Sequence, residues 1–221
     1  MLRAVLFDLD GTLFDTAPDF TVVLNEIRQQ DNLPPLPESA VREVVSNGTR
    51  AMVKLGFDVN EGDAGFIELR DRFLARYLTH LAEKTVLFPG LENLIDKLAE
   101  HGIAWGIVTN KPELYTVPLM AAFDYLPTPG AVICPEHAER RKPHPDPILL
   151  ACRKIGCAPE EAIYVGDHER DIAAGRAAGM PTIACTYGYL DGETAVDTWG
   201  ADHIVDHGSE IWPLLKNTYL Q

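Results

Sequence analysis

Two carboxylates stand two residues apart, Asp8 and Asp10, directly after the apolar run Val5-Leu6-Phe7. In extended backbone, side chains at i and i+2 point to the same side. The pair can therefore converge at the end of a strand, and Gly11 lets the chain turn sharply away. Paired acids of this kind can hold a hard cation and carry nucleophilic and acid/base chemistry. An Asp-Gly dipeptide alone is an ordinary turn signal. The weight rests on the whole run Val5-Leu6-Phe7-Asp8-Leu9-Asp10-Gly11-Thr12-Leu13-Phe14-Asp15-Thr16. Three further stretches offer complementary groups. Val108 runs into Thr109-Asn110-Lys111-Pro112, Val165 runs into Gly166-Asp167-His168-Glu169-Arg170-Asp171, and Arg140-Arg141-Lys142-Pro143-His144-Pro145 can supply a cation from a loop.

The elements that must position these groups follow from the hydrophobic pattern. Val5 to Phe7, Ile103 to Val108, Ala131 to Ile133, Ile163 to Val165 and Thr182 to Ala184 are near-continuous apolar runs, as expected for parallel strands buried on both faces. Amphipathic segments lie between them. Leu91, Leu94, Ile95 and Leu98 follow helical spacing with Gly102 beyond the end, and Asp146-Pro147 predicts a helix start matched by a stop at Gly156. A helix over Ile172 to Ala178 is stopped by Gly179 and Pro181. Alternating strand and helix predicts an α/β fold with a doubly wound, Rossmann-like parallel sheet, in which ligands bind at the carboxyl ends of the strands. From Thr16 to Thr85 the alternation stops. Helices are expected over Phe20 to Gln30, Glu38 to Leu55 and Ala64 to Leu81. The expected division is a catalytic α/β core of residues 1–15 and 86–221 with an α-helical cap inserted over 16–85.

Composition bounds the partners. The chain has 221 residues, 46% of them hydrophobic, and 19 Lys plus Arg against 33 Asp plus Glu give a net charge of −14. This argues against nucleic acid or an anionic membrane as the main partner and leaves room for a small anion held by a few well-placed cations. The cysteines Cys134, Cys152, Cys157 and Cys185 have neither Cys-x-x-Cys nor zinc spacing. Cys134-Pro-Glu-His137 is at most half a metal pattern, and reduced thiols in a cytoplasmic protein account for all four. No basic-then-apolar leader opens the sequence, and no apolar run approaches the ~20 residues a membrane helix needs.

Taken together and in order, Asp8-Leu9-Asp10-Gly11-Thr12-Leu13, Val108-Thr109-Asn110, Lys142-Pro143 and Gly166-Asp167 with Asp171 resemble the haloacid dehalogenase superfamily of phosphotransferases. The match spans most of the core, and the helical insertion resembles that superfamily's mobile cap. Thr109-Asn110-Lys111-Pro112 and Tyr187-Gly188-Tyr189 look like the phosphoglycolate phosphatase group. Ile133-Cys134-Pro135-Glu136-His137 and Trp199-Gly200-Ala201-Asp202 are similar to stretches of N-acetylmuramic acid 6-phosphate phosphatases.

The resemblance implies a phosphomonoester hydrolase working through an aspartyl-phosphate. Asp8 would be the nucleophile and Asp10 the acid and base. The Asp8 carboxylate, the Asp10 main-chain carbonyl and Asp167 would hold Mg²⁺. Thr109 and Asn110 would bind phosphate oxygens, and Lys142 would place a compact charge beside Asp8 and the transferred group. Asp171 would act behind these groups, orienting Lys142 or a metal-bound water. His168 departs from the family, which usually has Ser or Thr after the metal-binding Asp.

In the cap, Ser46-Asn47-Gly48-Thr49-Arg50 is the expected specificity segment. Arg50 can clamp a substrate carboxylate or equally pair with a neighbouring acid, and Lys54 has the same two options. Asp15 and Thr16 lie where the hinge is expected. The substrate expected first is a small phosphorylated metabolite carrying a carboxylate, with phosphoglycolate ahead of N-acetylmuramic acid 6-phosphate or another sugar phosphate. A sugar phosphomutase shares the core, though Thr12 leans towards phosphatases. A non-catalytic phosphate-binding regulatory module is the alternative of another class, and the presence of Asp8, Asp10, Lys142 and Asp167 speaks against it.

Overall fold

A computed structural model describes residues 1–220. Its centre is a six-stranded sheet in the order β5-β4-β1-β6-β7-β8, with every adjacent pair parallel. The strands are β1 (Ala4–Phe7), β4 (Ala104–Val108), β5 (Ala131–Ile133), β6 (Ala162–Gly166), β7 (Thr182–Cys185) and β8 (His203–Val205). Side chains alternate across the sheet as the pleat requires. Val5 and Phe7 join one core layer with Ile107, Ile163 and Val165. On that face pack α5 (Leu91–Glu100), α6 (Glu113–Ala121) and α9 (Ile211–Thr218), through Leu91, Leu94, Ile95, Leu119, Ile211 and Leu215. Ala4 and Leu6 face the other layer, with Ile148, Ala151 and Cys152 of α7 (Asp146–Ile155) and Ala174 of α8 (Glu169–Ala177). The sheet is thus wound on both faces, which is why its strands read as continuous apolar runs.

Between β1 and the rest of the sheet the chain makes a helical excursion. It leaves through β2 (Phe14–Asp15) and returns through β3 (Val86–Leu87), and these two short strands pair antiparallel. Inside lie α1 (Ala17–Gln30), α2 (Glu38–Arg42), α3 (Gly48–Phe57) and α4 (Phe66–His80). Val23, Leu24, Ile27, Met52, Phe73 and Tyr77 on these helices are buried and belong to the same cluster as the α5 side of the sheet.

Two sequence expectations are corrected, and two further elements are added. The helix expected over 38–55 is broken, because Val45–Asn47 forms a 3₁₀ turn and Gly48 takes a left-handed φ of 73° that few residues tolerate. Asp146 does not cap α7. It lies in the first turn, paired with Arg140 at 2.8 Å, while Pro145 precedes it. The edge strand β8 and the β2–β3 pair were not expected. The five expected runs are strands: β1, β6 and β7 are longer by a residue or two, β5 has the expected bounds, and β4 starts one residue later, at Ala104.

Candidate active site

The adjacent strands β4, β1 and β6 end side by side, so the loops that follow them share one crevice. β1 leads into Asp8, whose N–H still donates to Val165 O of β6 at 2.9 Å. Beyond it Gly11 turns at φ 85°, a conformation that favours glycine, and here a Cβ would also collide with the Asp167 carboxylate and the Tyr189 ring. β6 leads into Asp167, and α8 starts at once, placing Asp171 in its first turn. Asp8, Asp167 and Asp171 are all buried and offer oxygens within 4.8 Å of one another.

Lys142, whose side chain is wholly buried, enters this cluster from the loop before α7. Its Nζ lies 2.8 Å from Asp8 Oδ1 and 2.7 Å from Asp171 Oδ1, and donates to Val108 O at 2.8 Å and Tyr164 OH at 2.9 Å. Burial alone would push the ammonium towards losing its proton, but Asp171 and Asp8 outweigh it and raise the pKa. One cation facing three acids leaves the group short of positive charge. Burial, then Asp8 and Asp171, push the Asp167 carboxyl well above the ordinary range. Burial and Asp8 push Asp171 up to about 6. Two donors serve Asp167: Thr12 Oγ1 and the Tyr189 N–H, each at 2.8 Å. Both Asp171 oxygens lack a directed hydrogen bond among the described residues. Hard oxygen donors, convergent, buried and under-neutralised, fit a divalent cation.

Asp10 lines the same cavity but turns its side chain elsewhere. Oδ1 accepts from Thr16 Oγ1 at 2.7 Å and from Lys111 Nζ at 2.8 Å. Lys111 was not singled out from the sequence. It reaches from the loop after β4 into the helical segment, donates to Tyr77 OH at 2.8 Å and lies 5.0 Å over the Phe20 ring. Its pKa is raised, because Asp10 and Tyr77 overcome the desolvation that would lower it. Thr109 is buried, and Asn110 Nδ2 donates to Lys142 O at 3.1 Å. Asp8, Asp10, Thr109, Asn110 and Lys142 all line one cavity of about 510 Å³. The opposite wall is apolar: Phe20, Met52, Phe73, Leu74, Tyr77 and Tyr115.

His168 supplies what a hydroxyl would supply at this position. Its Nδ1 accepts from Arg170 N at 3.2 Å and caps α8. Burial, then the Arg170 charge, lowers its pKa, consistent with an imidazole that accepts. Arg50 lines the cavity but lies 3.6 Å from Glu61, with both side chains largely exposed, and Lys54 pairs with Asp58 at 2.5 Å. Cys134 and His137 form a local turn rather than half a metal site, the His137 Nδ1 accepting from Cys134 N at 3.1 Å. Tyr189 was also missed as a site element. Besides its bond to Asp167 it donates its hydroxyl to Asp15 at 2.7 Å, accepts from Ala17 N, and carries Arg42 over its ring at 5.6 Å.

A doubly wound parallel sheet with an acid cluster at the ends of neighbouring strands, facing a helical segment inserted after the first strand, defines a haloacid dehalogenase fold. The profile of the haloacid dehalogenase-like hydrolase family matches residues 5–185, and the chain belongs to that family. It is 43% identical over 214 residues to an N-acetylmuramic acid 6-phosphate phosphatase of Pseudomonas aeruginosa, covering 97% of this chain and 95% of the relative. It is 40% identical over 210 residues to a phosphoglycolate phosphatase of Xanthomonas campestris pv. campestris, covering 95% of each. The crystal structure of a predicted phosphoglycolate phosphatase from Haemophilus somnus superimposes with a TM-score of 0.82 at 27% identity, over 96% of this chain and 97% of that one. The protein is a phosphatase of the haloacid dehalogenase family. Among the described residues no helix is long and apolar enough to cross a membrane.

Proposed function

We propose that the protein hydrolyses a sugar phosphomonoester bearing a carboxylate, with N-acetylmuramic acid 6-phosphate as the preferred substrate and Mg²⁺ as the metal. This reverses the order expected from the sequence, which put phosphoglycolate first. The cavity carries the reading. Its 510 Å³ lies in the range that encloses ligands of many atoms, and a two-carbon acid would leave its aromatic wall uncovered. The 43% identity to a phosphatase of that name points the same way. Phosphoglycolate is the second reading, resting on relatives at 40%.

The division into a core of residues 1–15 and 86–221 and a cap of 16–85 belongs to this proposal. The cap helices, with Tyr115 of α6, supply the apolar wall, and the sheet supplies the chemistry. Asp8 and Asp167 would hold Mg²⁺ with the Asp10 carbonyl, and Asp171 stands behind them. When bound, the ion offsets charge on the acids and on the incoming phosphate, as Mg²⁺ does in oxygen-rich sites. An Asp8 carboxylate oxygen attacks phosphorus, and the bond to the sugar oxygen breaks. Asp10 gives its proton to that leaving oxygen. Water then attacks the phosphorus of the aspartyl-phosphate, Asp10 takes its proton, and the P–O bond to Asp8 breaks to release inorganic phosphate. Lys142 balances charge on Asp8, and Thr109 and Asn110 offer donors to the phosphate oxygens. Lys111 and Thr16 hold the Asp10 carboxylate in place between these steps.

The test is phosphate release from a panel of phosphomonoesters with Mg²⁺ or with chelator. The expected result is a kcat/KM for N-acetylmuramic acid 6-phosphate at least tenfold above phosphoglycolate, hexose phosphates and nucleotides, lost with chelator and in Asp8→Asn. A preference for nucleotides or phosphoglycolate would overturn the substrate. Activity surviving in Asp8→Asn would overturn the nucleophile. Return of phosphate to the same sugar without release would mark a mutase.

A further inference from the structure

Five cations line the cavity: Arg50, Lys111, Arg141, Lys142 and Arg170. Three already have carboxylate partners, since Lys142 faces Asp8 and Asp171, Lys111 faces Asp10, and Arg50 faces Glu61. Arg141 is exposed, so water can satisfy it. Arg170 is different. It is half-buried and, among the described residues, has no carboxylate partner. Its Nη2 donates to Ser46 O at 2.5 Å, and its buried Nε has no acceptor. A buried donor left unsatisfied is costly and calls for an explanation.

The position of Arg170 is unfavourable by itself. It lies in the first turn of α8, where the helix dipole disfavours a cation. Its charge acts on Asp171 and Tyr164, so it lies close to the acid cluster. Its bond to Ser46 ties it to the segment that ends in Arg50. Arg170 thus stands between the sheet's chemistry and the helical wall, with hydrogen-bonding capacity unspent. A guanidinium in that state suits an anionic oxygen, which it binds by charge-assisted hydrogen bonds.

We propose that Arg170 is a substrate-binding residue that takes an anionic oxygen of the bound phosphomonoester, making the core, and not only the cap segment with Arg50, a determinant of specificity. The oxygen belongs either to the phosphate or to a carboxylate elsewhere on the substrate. The proposal rests on the phosphomonoester reading above but not on which sugar is preferred.

The experiment compares wild type with Arg170→Met and Arg170→Lys in Mg²⁺ buffer. The substrates are N-acetylmuramic acid 6-phosphate, N-acetylglucosamine 6-phosphate (the same ring without the lactyl carboxylate), phosphoglycolate and p-nitrophenyl phosphate, with inorganic phosphate as inhibitor. Thermal melting checks folding, and Arg170→Gln replaces Arg170→Met if that variant does not fold. Loss of one such bond corresponds to about 10- to 100-fold. If the oxygen is a carboxylate, KM rises by that factor for the carboxylate-bearing substrates and stays within about threefold for the others. If it is phosphate, all substrates weaken alike and so does inhibition by phosphate. In both cases Arg170→Lys recovers part of the loss. Unchanged constants throughout, or a uniform fall in kcat with phosphate inhibition intact, would overturn the proposal and leave Arg170 as a tie to Ser46. If wild type ignores N-acetylmuramic acid 6-phosphate, the preferred substrate falls, while the remaining substrates and phosphate inhibition still test Arg170.

Discussion

The most heavily engaged side chain of the site is Lys142. It has no exposed surface and serves two acids, a carbonyl and a tyrosine hydroxyl at once. The ion pairs do not make the fold stable by themselves, because desolvating the charges offsets most of the attraction. Removing the cation alone is a different matter, since Asp8 and Asp171 would then face each other and Asp167 without the ammonium that pairs with two of them. Lys142→Met is therefore expected to destabilise the metal-free protein by about 3–5 kcal/mol, and clearly less when Mg²⁺ is present. Chemical denaturation with chelator and with Mg²⁺ measures the difference. Hydrolysis should fall at least ~100-fold, because a charge aimed at the reacting group is lost. Lys142→Arg should not restore it, since a planar fork cannot replace a compact ammonium with four close partners. Equal stability of wild type and Lys142→Met in chelator would mean that the ammonium is not compensating the acids.

At the scale of elements, the loop after β1 and the loop carrying Tyr189 are built against each other. Gly11 needs its positive φ, and a Cβ there would run into Asp167 and Tyr189. Gly188 is equally crowded by Asp167 and by Gly11 O. Gly11→Ala should therefore displace the Asp167 carboxylate. The expected outcome is a loss of about 1–3 kcal/mol in stability and a weaker apparent affinity for Mg²⁺. Thermal melting and metal titration of the folded variant read these two effects. Unaltered metal affinity would show that Asp167 does not depend on this turn.

This close fit also explains what was legible in the sequence. Asp8, Asp10, Thr109, Asn110 and Asp167 could be grouped because each follows a buried strand whose apolar run is unmistakable, and Lys142 joined them as a loop cation through the order of the family motifs. β8 was not legible, since only Val205 of its three residues is buried at the sheet edge. β2 and β3 have two residues each and exist only by pairing with one another. Lys111 and Tyr189 stood inside family-like stretches without a role, and Tyr164 was not singled out, because their partners come from distant parts of the chain. The division into the two segments Glu38–Arg42 and Gly48–Phe57 was hidden for a related reason: the helical periodicity runs through a turn that tertiary contacts impose. For Arg50 the sequence left a substrate clamp and a neighbouring acid as equal options, and Glu61, on a neighbouring loop, stands beside it.

For the molecule as a whole, the acid cluster links metal, pH and stability. The Asp171 carboxyl is held up to about 6 by burial and the Asp8 charge, and Asp167 is also raised, by burial, then Asp8 and Asp171. Between the unfolded carboxylate value near ~4 and those raised values, the folded chain binds protons that the unfolded chain has released. Stability of the metal-free protein must then fall as pH rises from about 4 through 6, and stay lower above it. The net charge of −14 adds a general repulsion of similar direction. That part is separable: at 0.15 M salt the screening length is about 8 Å, and more salt weakens exposed repulsion while leaving a buried cluster nearly untouched. Mg²⁺ acts on the cluster in the opposite sense, because it binds the ionised acids and competes with their protons. At a concentration 100 times its Kd it should add about 2.7 kcal/mol, which for a chain of this length is a rise in Tm of roughly 5–10 °C. The shift should be small at pH 5 and grow towards pH 8, and it should persist at high salt. Melting curves at pH 5, 6, 7 and 8, with chelator and with millimolar Mg²⁺, decide the matter. A stability profile that is flat with pH and indifferent to Mg²⁺ would mean that Asp8, Asp167 and Asp171 do not form a cation site.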